Sequence, residues 1–148
     1  MSRYPEWWSD TITIYNKYEN SQTQLVTWFR TVIPKAFWKN AGNMVVINGV
    51  SLDTDSIICR IRERSNFKPK SEWIQLPNDE MDDYFTLASG DIVVHGEVED
   101  VIDEYTSGHR STDLLNKYKQ FGECFVIDRV ADNTGTGRGQ KHYFIKGK

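Results

Sequence analysis

The 148-residue chain carries 18 Lys and Arg against 21 Asp and Glu, a formal net charge of -3, with five Trp, seven Tyr and seven Phe. A chain this long removes roughly 70% of its unfolded surface from water without staples, and its aromatic content excludes disorder throughout. No apolar run approaches the roughly 20 residues of a membrane helix, and Met1 to Asp10 lacks the charged-then-apolar layout of a signal peptide, so one domain, made in the cytoplasm, is expected.

Thr11 to Tyr18 alternates apolar and polar residues with β-branched and aromatic side chains, the period-2 signature of a strand. Gln24 to Ile33 repeats it across the polar turn Glu19-Asn20-Ser21, which predicts a hairpin. Pro34 removes a backbone donor, so the second strand is expected to break there or to lie at a sheet edge before Ala36-Phe37-Trp38. Met44 to Ile47 and Val50 to Leu52 flank Asn48-Gly49, a strong type I′ hairpin signal.

Ser56 to Ile61 is a further strand, followed by a loop from Arg62 to Ser71 and by the apolar stretch Trp73 to Leu76. Asn78 or Asp79 can cap a short helical turn through Met81 and Tyr84. Gly90 and Gly96 bracket the strand Ile92 to His95. Glu99 to Tyr105 and Ser111 to Phe121 are the helical candidates, the second with Ser111 or Thr112 as cap and Leu114, Leu115, Tyr118 and Phe121 at three-to-four spacing. Cys124 to Val130 and His142 to Ile145 close the chain as strands. The expected fold is mainly β: a small antiparallel β-barrel or sandwich with one or two short helices and long loops.

Charge is segregated along the chain. From Ser71 to His109 there are eleven acids and no Lys or Arg, while all eighteen basic residues and ten acids lie outside. The window therefore carries -11 and the remainder +8. Solvated loops whose charges mix in space would give this pattern, as would acidic and basic faces that meet between copies, since complementary potentials steer association. On the second reading the interface includes Arg60, Arg62, Arg64, Lys68 and Lys70 on the basic side. Its acidic side includes Asp79, Glu80, Asp82, Asp83, Glu97, Glu99 and Asp100.

The chemistry-bearing motifs are weak. Thr134-Gly135-Thr136-Gly137-Arg138-Gly139 has the glycines of a phosphate loop but leads into a strand where the anion site needs a helix N-terminus; a hairpin tip is the expectation. The acids lack the alternating pattern of an EF-hand. His95, His109 and His142 are scattered, and no Ser or Cys sits in a nucleophile elbow. Cys59 and Cys124 lie in apolar runs and are expected as buried free thiols; no metal, cofactor or catalytic residue is expected. The stretch Arg60 to Lys70, with Trp28, Phe67 and Trp73 as stacking platforms, would also suit a nucleic-acid-binding OB-like or SH3-like barrel. A carboxylate pair such as Asp91 and Glu97 is the remaining enzymatic alternative.

Four phrases taken together resemble a known class: WWSDTITIYNKYENSQTQLVTWFRTVIPKAFW, SIICRIR, DYFTLASGDIVVHGEV and FVIDRVADNTGTGRGQKHYFIKGK. Their order is similar to the small neck proteins of tailed bacteriophages, the head-closure or stopper class of head–tail connector, or a related uncharacterised family of phage minor structural proteins from Gram-positive hosts. The likeness includes a strand entered after a Gly-Asp turn, here Ser89 to Val94, and a closing strand before the last one. It departs from the compact pattern at Asn40 to Glu80 and at Glu99 to Phe121.

The resemblance implies a homo-oligomeric ring under the portal or its adaptor protein, closing the DNA channel and offering a platform to the tail or tail-terminator protein. It further implies a virion location in the neck, with non-specific contact with packaged DNA and no membrane. Thr134, Gly135, Gly137, Arg138 and Gly139 would then form a channel or docking loop. Another minor capsid or tail-completion role is the neighbouring alternative.

Overall fold

The computed structural model describes residues 8–40, 44–47, 50–53, 56–135 and 141–148. Strands β1 (Asp10–Glu19) and β2 (Val26–Asn40) form the first hairpin, in register from Ile12 opposite Ile33 to Glu19 opposite Val26. β3 (Met44–Ile47) and β4 (Val50–Asp53) pair with each other in a separate ribbon. β5 (Ile57–Arg62), β6 (Ile92–His95), β7 (Cys124–Asp132) and β8 (His142–Gly147) complete a closed antiparallel barrel of order β1-β2-β5-β8-β7-β6. Closure leaves the barrel no open edge for stray pairing.

Two strands turn the corners. β2 pairs with β1 as far as Ala36 and then with β5 from Phe37 to Asn40. At the switch, four β2 residues from Ile33 to Ala36 oppose three of β1 from Ile12 to Asp10, a bulge in which Lys35 takes φ 57°. The strand therefore continues through Pro34, contrary to the expected break, because the missing donor falls where the chain leaves one partner for the next. β7 does the same: Cys124 to Val126 pair with β6, and from Ile127 onward the strand pairs with β8, with a register shift across Asp128.

Alternation decides what is inside. Ile12 and Ile14, Ile57, Cys59 and Ile61, Val93, Phe125 and Ile127, and Tyr143 and Ile145 fill the barrel. Phe67 and Phe85 pair as an isolated bridge, and Phe67 packs at 4.1 Å on Tyr143, so the β5–β6 connection is anchored to the core at its middle. Within it, helix α1 (Lys70–Trp73) runs from the end of the expected loop Arg62 to Ser71 to the first residue of the apolar stretch. Pro69, at φ -56°, preorganises the turn. Trp73 is fully buried against Phe29 and Tyr18, at 5.4 and 6.2 Å between ring centres. The expected helical turn follows as the 3-10 turn Met81–Asp83, pinned by fully buried Met81, but its N-cap is Glu80 and not Asn78 or Asp79, and Tyr84 is already extended.

A second cluster covers the outer side of β1, β6 and β7: Tyr15, Ile92, Val94 and Cys124 meet Ile102 and Leu114. Leu114 comes from helix α2 (Ser111–Lys119), the stronger of the two helical expectations. The helix ends before Phe121, which is 70% exposed and not on the packed stripe. Its start is held by acids and not by a Ser or Thr cap: Glu104 accepts from the Ser111 amide and hydroxyl at 2.6 and 2.9 Å, and Asp113 accepts from the Arg110 amide at 3.0 Å.

Glu99 to Tyr105 is not helical. Helical spacing would stack Glu99 on Asp103 and Asp100 on Glu104 as like-charge pairs. Asp103 instead accepts the Tyr105 amide and the Thr106 hydroxyl at 2.9 and 2.8 Å, an Asx turn that competes with helix.

Candidate functional site

The outward positions of four strands form one continuous surface. In β5 the inward Ile57, Cys59 and Ile61 alternate with Ile58, Arg60 and Arg62, and in β8 Tyr143 and Ile145 alternate with His142, Phe144 and Lys146. Register then fixes two rows across β2, β5, β8 and β7. Phe37, Arg60, Phe144 and Ala131 form one; Lys39, Ile58, Lys146 and Arg129 form the other. The Arg60 guanidinium lies 5.4 Å from the Phe37 ring centre and 5.5 Å from that of Phe144, so it is oriented by two aromatic faces. Lys146 and Arg129 sit directly opposite each other, a like-charge cross-strand pair that weakens a sheet unless an anion lies over it. One residue further along, a cleft of about 280 Å³ is lined by Asn40, Ser56, Ile57, Lys119, Gly122, Cys124 and Lys148, adding two more lysines.

The basic stretch named from the sequence is not one patch. Arg60 and Arg62 are on the sheet, and Arg62 donates to the Trp8 carbonyl at 3.3 Å where Trp8 stacks on Phe37. Arg64 lies in the following turn region, and Lys68 lies over Tyr84 at 4.8 Å. Lys70 lies over Trp73 at 5.0 Å and donates to the Lys17 carbonyl; burial holds its amine below the ordinary lysine range. The expected stacking platforms are also corrected. Trp73 is fully buried with its Nε1 donating to the Tyr84 carbonyl, Phe67 packs on the core, and Trp28 packs on the second cluster. Exposed-looking aromatics in loops become core when a long connection must be anchored, whereas Phe37 and Phe144 are brought beside Arg60 by pairing between distant strands.

The acids divide into three environments. Asp79, Glu80, Asp82 and Asp83 are all exposed around the buried Met81, and among the described residues none forms an ion pair. Glu97 and Glu99 are exposed beyond β6. Asp100 accepts from Lys117 Nζ at 2.9 Å and from the Tyr118 hydroxyl at 2.7 Å. Burial raises its carboxyl, but those hydrogen bonds and the Lys117 charge outweigh that and hold it below the ordinary carboxylate range. It lines, with Lys117, His109 and Arg110, a groove of about 200 Å³ beside α2.

Asp91 is structural. It is 1% exposed, accepts from the Lys17 and Ala88 amides at 3.0 and 3.1 Å, and accepts from Asn16 Nδ2 at 2.9 Å. Burial pushes its carboxyl up against the lowering effect of those bonds and of the Lys70 charge. Glu97 is not its partner, so the two do not make a carboxylate pair.

His95 forms a cluster that sequence spacing could not reveal. Its Nε2 is 3.0 Å from Asp10 and its Nδ1 2.7 Å from Glu123, and its ring stacks on Trp38 at 4.7 Å with planes 7° apart. Four strand ends, β1, β2, β6 and the start of β7, meet there. Both nitrogens donate only when the ring carries two protons. The carboxylates occupy opposite edges of the ring and do not converge on one point; among the described residues no group of three His, Cys, Asp or Glu could hold a metal ion.

A family model described as a family of unknown function (DUF6751) matches residues 8–148. The chain belongs to DUF6751. Comparison with curated proteins and with solved structures returned no match. The family's span runs from Trp8, on the basic sheet face, through β8, so the barrel and both long connections of this DUF6751 chain lie inside it.

Both cysteines of the DUF6751 chain are buried and free. Burial raises both thiols, Cys124 to about 11 with Lys119 opposing, so neither is a thiolate nucleophile at neutral pH. In the β7–β8 connection, Thr134 donates from its amide and hydroxyl to Asp132 at 2.9 and 2.6 Å, an Asx turn, and Gly135 is exposed. Gly137, Arg138 and Gly139 lie outside the described residues, as does the Asn48-Gly49 turn. Among the described residues no helix is long and apolar enough to cross a membrane.

Proposed function

We propose that this chain is a structural virion protein of a tailed phage, a head-closure or stopper component of the head–tail connector. It assembles as a ring below the portal or adaptor, closes the DNA channel and offers a platform to the tail. The observation that carries the reading is the β3–β4 ribbon, which among the described residues forms a two-stranded sheet separate from the barrel. Register opposes Val45 to Leu52 and Ile47 to Val50. A lone two-stranded ribbon is marginal in water, and an apolar one inserted between β2 and β5 suits a chain that completes its packing on a neighbour. The phage-like phrases of the sequence and the separation of acidic from basic surfaces support the same role.

The experiment is binding of the purified chain to portal-bearing, DNA-filled heads at low salt, with retention of packaged DNA as the second readout. Saturable binding and reduced DNA leakage are expected. Absence of both removes the reading. A nucleic-acid-binding barrel is the second reading, favoured by the Lys39, Arg60, Arg129 and Lys146 surface; a polarisation titration with single-stranded DNA would then show steep salt dependence.

A further inference from the structure

We infer that the basic outer face of the β2–β5–β8–β7 sheet takes a second copy of this chain, through the acidic loop around Met81. The proposal rests on the ring reading for its head-to-tail geometry and names the two surfaces that meet.

Three observations carry it. First, Lys146 and Arg129 are held opposite each other by the β7–β8 register, with Lys39 in the same row, and no acid occupies a paired position in that row or in the adjoining one. Such an arrangement is stabilised by an anionic surface laid over it. Second, Asp82 and Asp83 are exposed, while Met81 between them and Glu80 is fully buried. The carboxylates are thus presented by a fixed turn, and among the described residues they form no ion pair.

Third, among the described residues the two surfaces make no ion pair with each other within one molecule. The acidic loop leaves from Trp73 and returns at Tyr84, whose carbonyl accepts from Trp73, and Trp73 packs on Phe29 near the start of β2. The basic row begins at Lys39 near its end. Ten strand residues and the bulge at Lys35 separate these two places on β2. Contact between different faces of successive copies is heterologous, the kind that closes rings.

A nucleic acid is the less suitable occupant. The whole chain is net negative, -3, with eleven acids between Ser71 and His109, which disfavours a polyanion overall.

The test exchanges charge between the two surfaces in the full chain. One variant carries Arg129→Glu and Lys146→Glu, the other Asp82→Lys and Asp83→Lys. Sedimentation velocity at low salt should show concentration-dependent assembly of the natural chain and roughly hundredfold weaker association of each variant alone. An equimolar mixture of the two should assemble again, because each reversed surface now faces its complement; that rescue also shows that both variants are folded. Undiminished assembly of the Arg129→Glu, Lys146→Glu variant overturns the inference, as does a mixture that stays monomeric. So does loss of salt-dependent duplex DNA binding with assembly intact, which would assign the face to nucleic acid. If the variant binds portal-bearing heads as the natural chain does, the surface assignment fails and the neck role stands. If charge exchange rescues assembly but heads are not bound, the neck role fails and the assignment stands.

Discussion

Asn16 and Asp91, 75 residues apart and both buried, are joined by a 2.9 Å hydrogen bond that ties β1 to the segment entering β6. The same Asn16 amide donates to the Thr86 carbonyl at 2.6 Å and accepts from the Thr86 amide at 3.2 Å. The side chain therefore replaces a missing rung between a strand and a loop. Asn16→Ala strands the Thr86 backbone groups and one Asp91 acceptor in a dry site, and should lower unfolding stability by about 2–4 kcal/mol. Denaturant melts measure it; a loss within about 0.5 kcal/mol would show that the bonds are replaceable.

Gly147 tests the closure of the barrel. A Cβ there would collide with the Val126 carbonyl oxygen and reach 2.6 Å from the Phe125 ring. These belong to β7, where that strand passes from β6 to β8. Gly147→Ala should destabilise by more than about 2 kcal/mol through backbone displacement, whereas Gly135→Ala, which meets nothing within 4 Å, should be near neutral. Equal melting temperatures for the two would contradict the β7–β8 register.

His95 is tested by keeping its stack and removing its nitrogens. His95→Phe preserves an aromatic surface for Trp38 while leaving Asp10 and Glu123 without their bridge. The expected cost is about 1–2 kcal/mol. His95→Ala, which also empties the stack, should cost about 1 kcal/mol more. If the two variants melt alike, the stack contributes nothing.

The acidic titration of stability has two opposing sources. The Asp100 carboxyl is depressed in the fold, so its contribution is present above the ordinary carboxylate range and is lost as pH falls through its lowered native value. Asp91 has the opposite sign: its raised native value makes the fold bind a proton that the unfolded chain releases, so its burial weakens stability as pH rises from the ordinary value through the native one. Asp100→Asn should therefore lower stability by about 1 kcal/mol at neutral pH, a deficit that fades as pH falls from the ordinary carboxylate range through the lowered native value of Asp100. Urea melts across that range measure the difference, and a deficit independent of pH would show that Asp100 acts by packing alone.

What was legible in the sequence was local. Strands β1, β5 to β8 and helix α2 follow from period-2 and three-to-four patterns within a few residues, and the acidic window is visible because its members are contiguous. The corners at Lys35 and Asp128 were not legible, since a bulge depends on which partner each half of the strand has. Nor was the basic face: Lys39, Arg129 and Lys146 become neighbours only through the order β2-β5-β8-β7. The linear run Arg60 to Lys70 looked like the stronger candidate, but strand alternation and the anchoring of Trp73 scatter it over several parts of the surface.

The account's central claim is assembly through separated surfaces of opposite charge. Its most direct measurement is the mass of the natural chain by sedimentation across concentration, at about 0.05 M and about 0.5 M salt, where the Debye length falls several-fold. Assembly that grows with concentration at low salt and dissociates at high salt is predicted. A monomer at every concentration in both salts would contradict it.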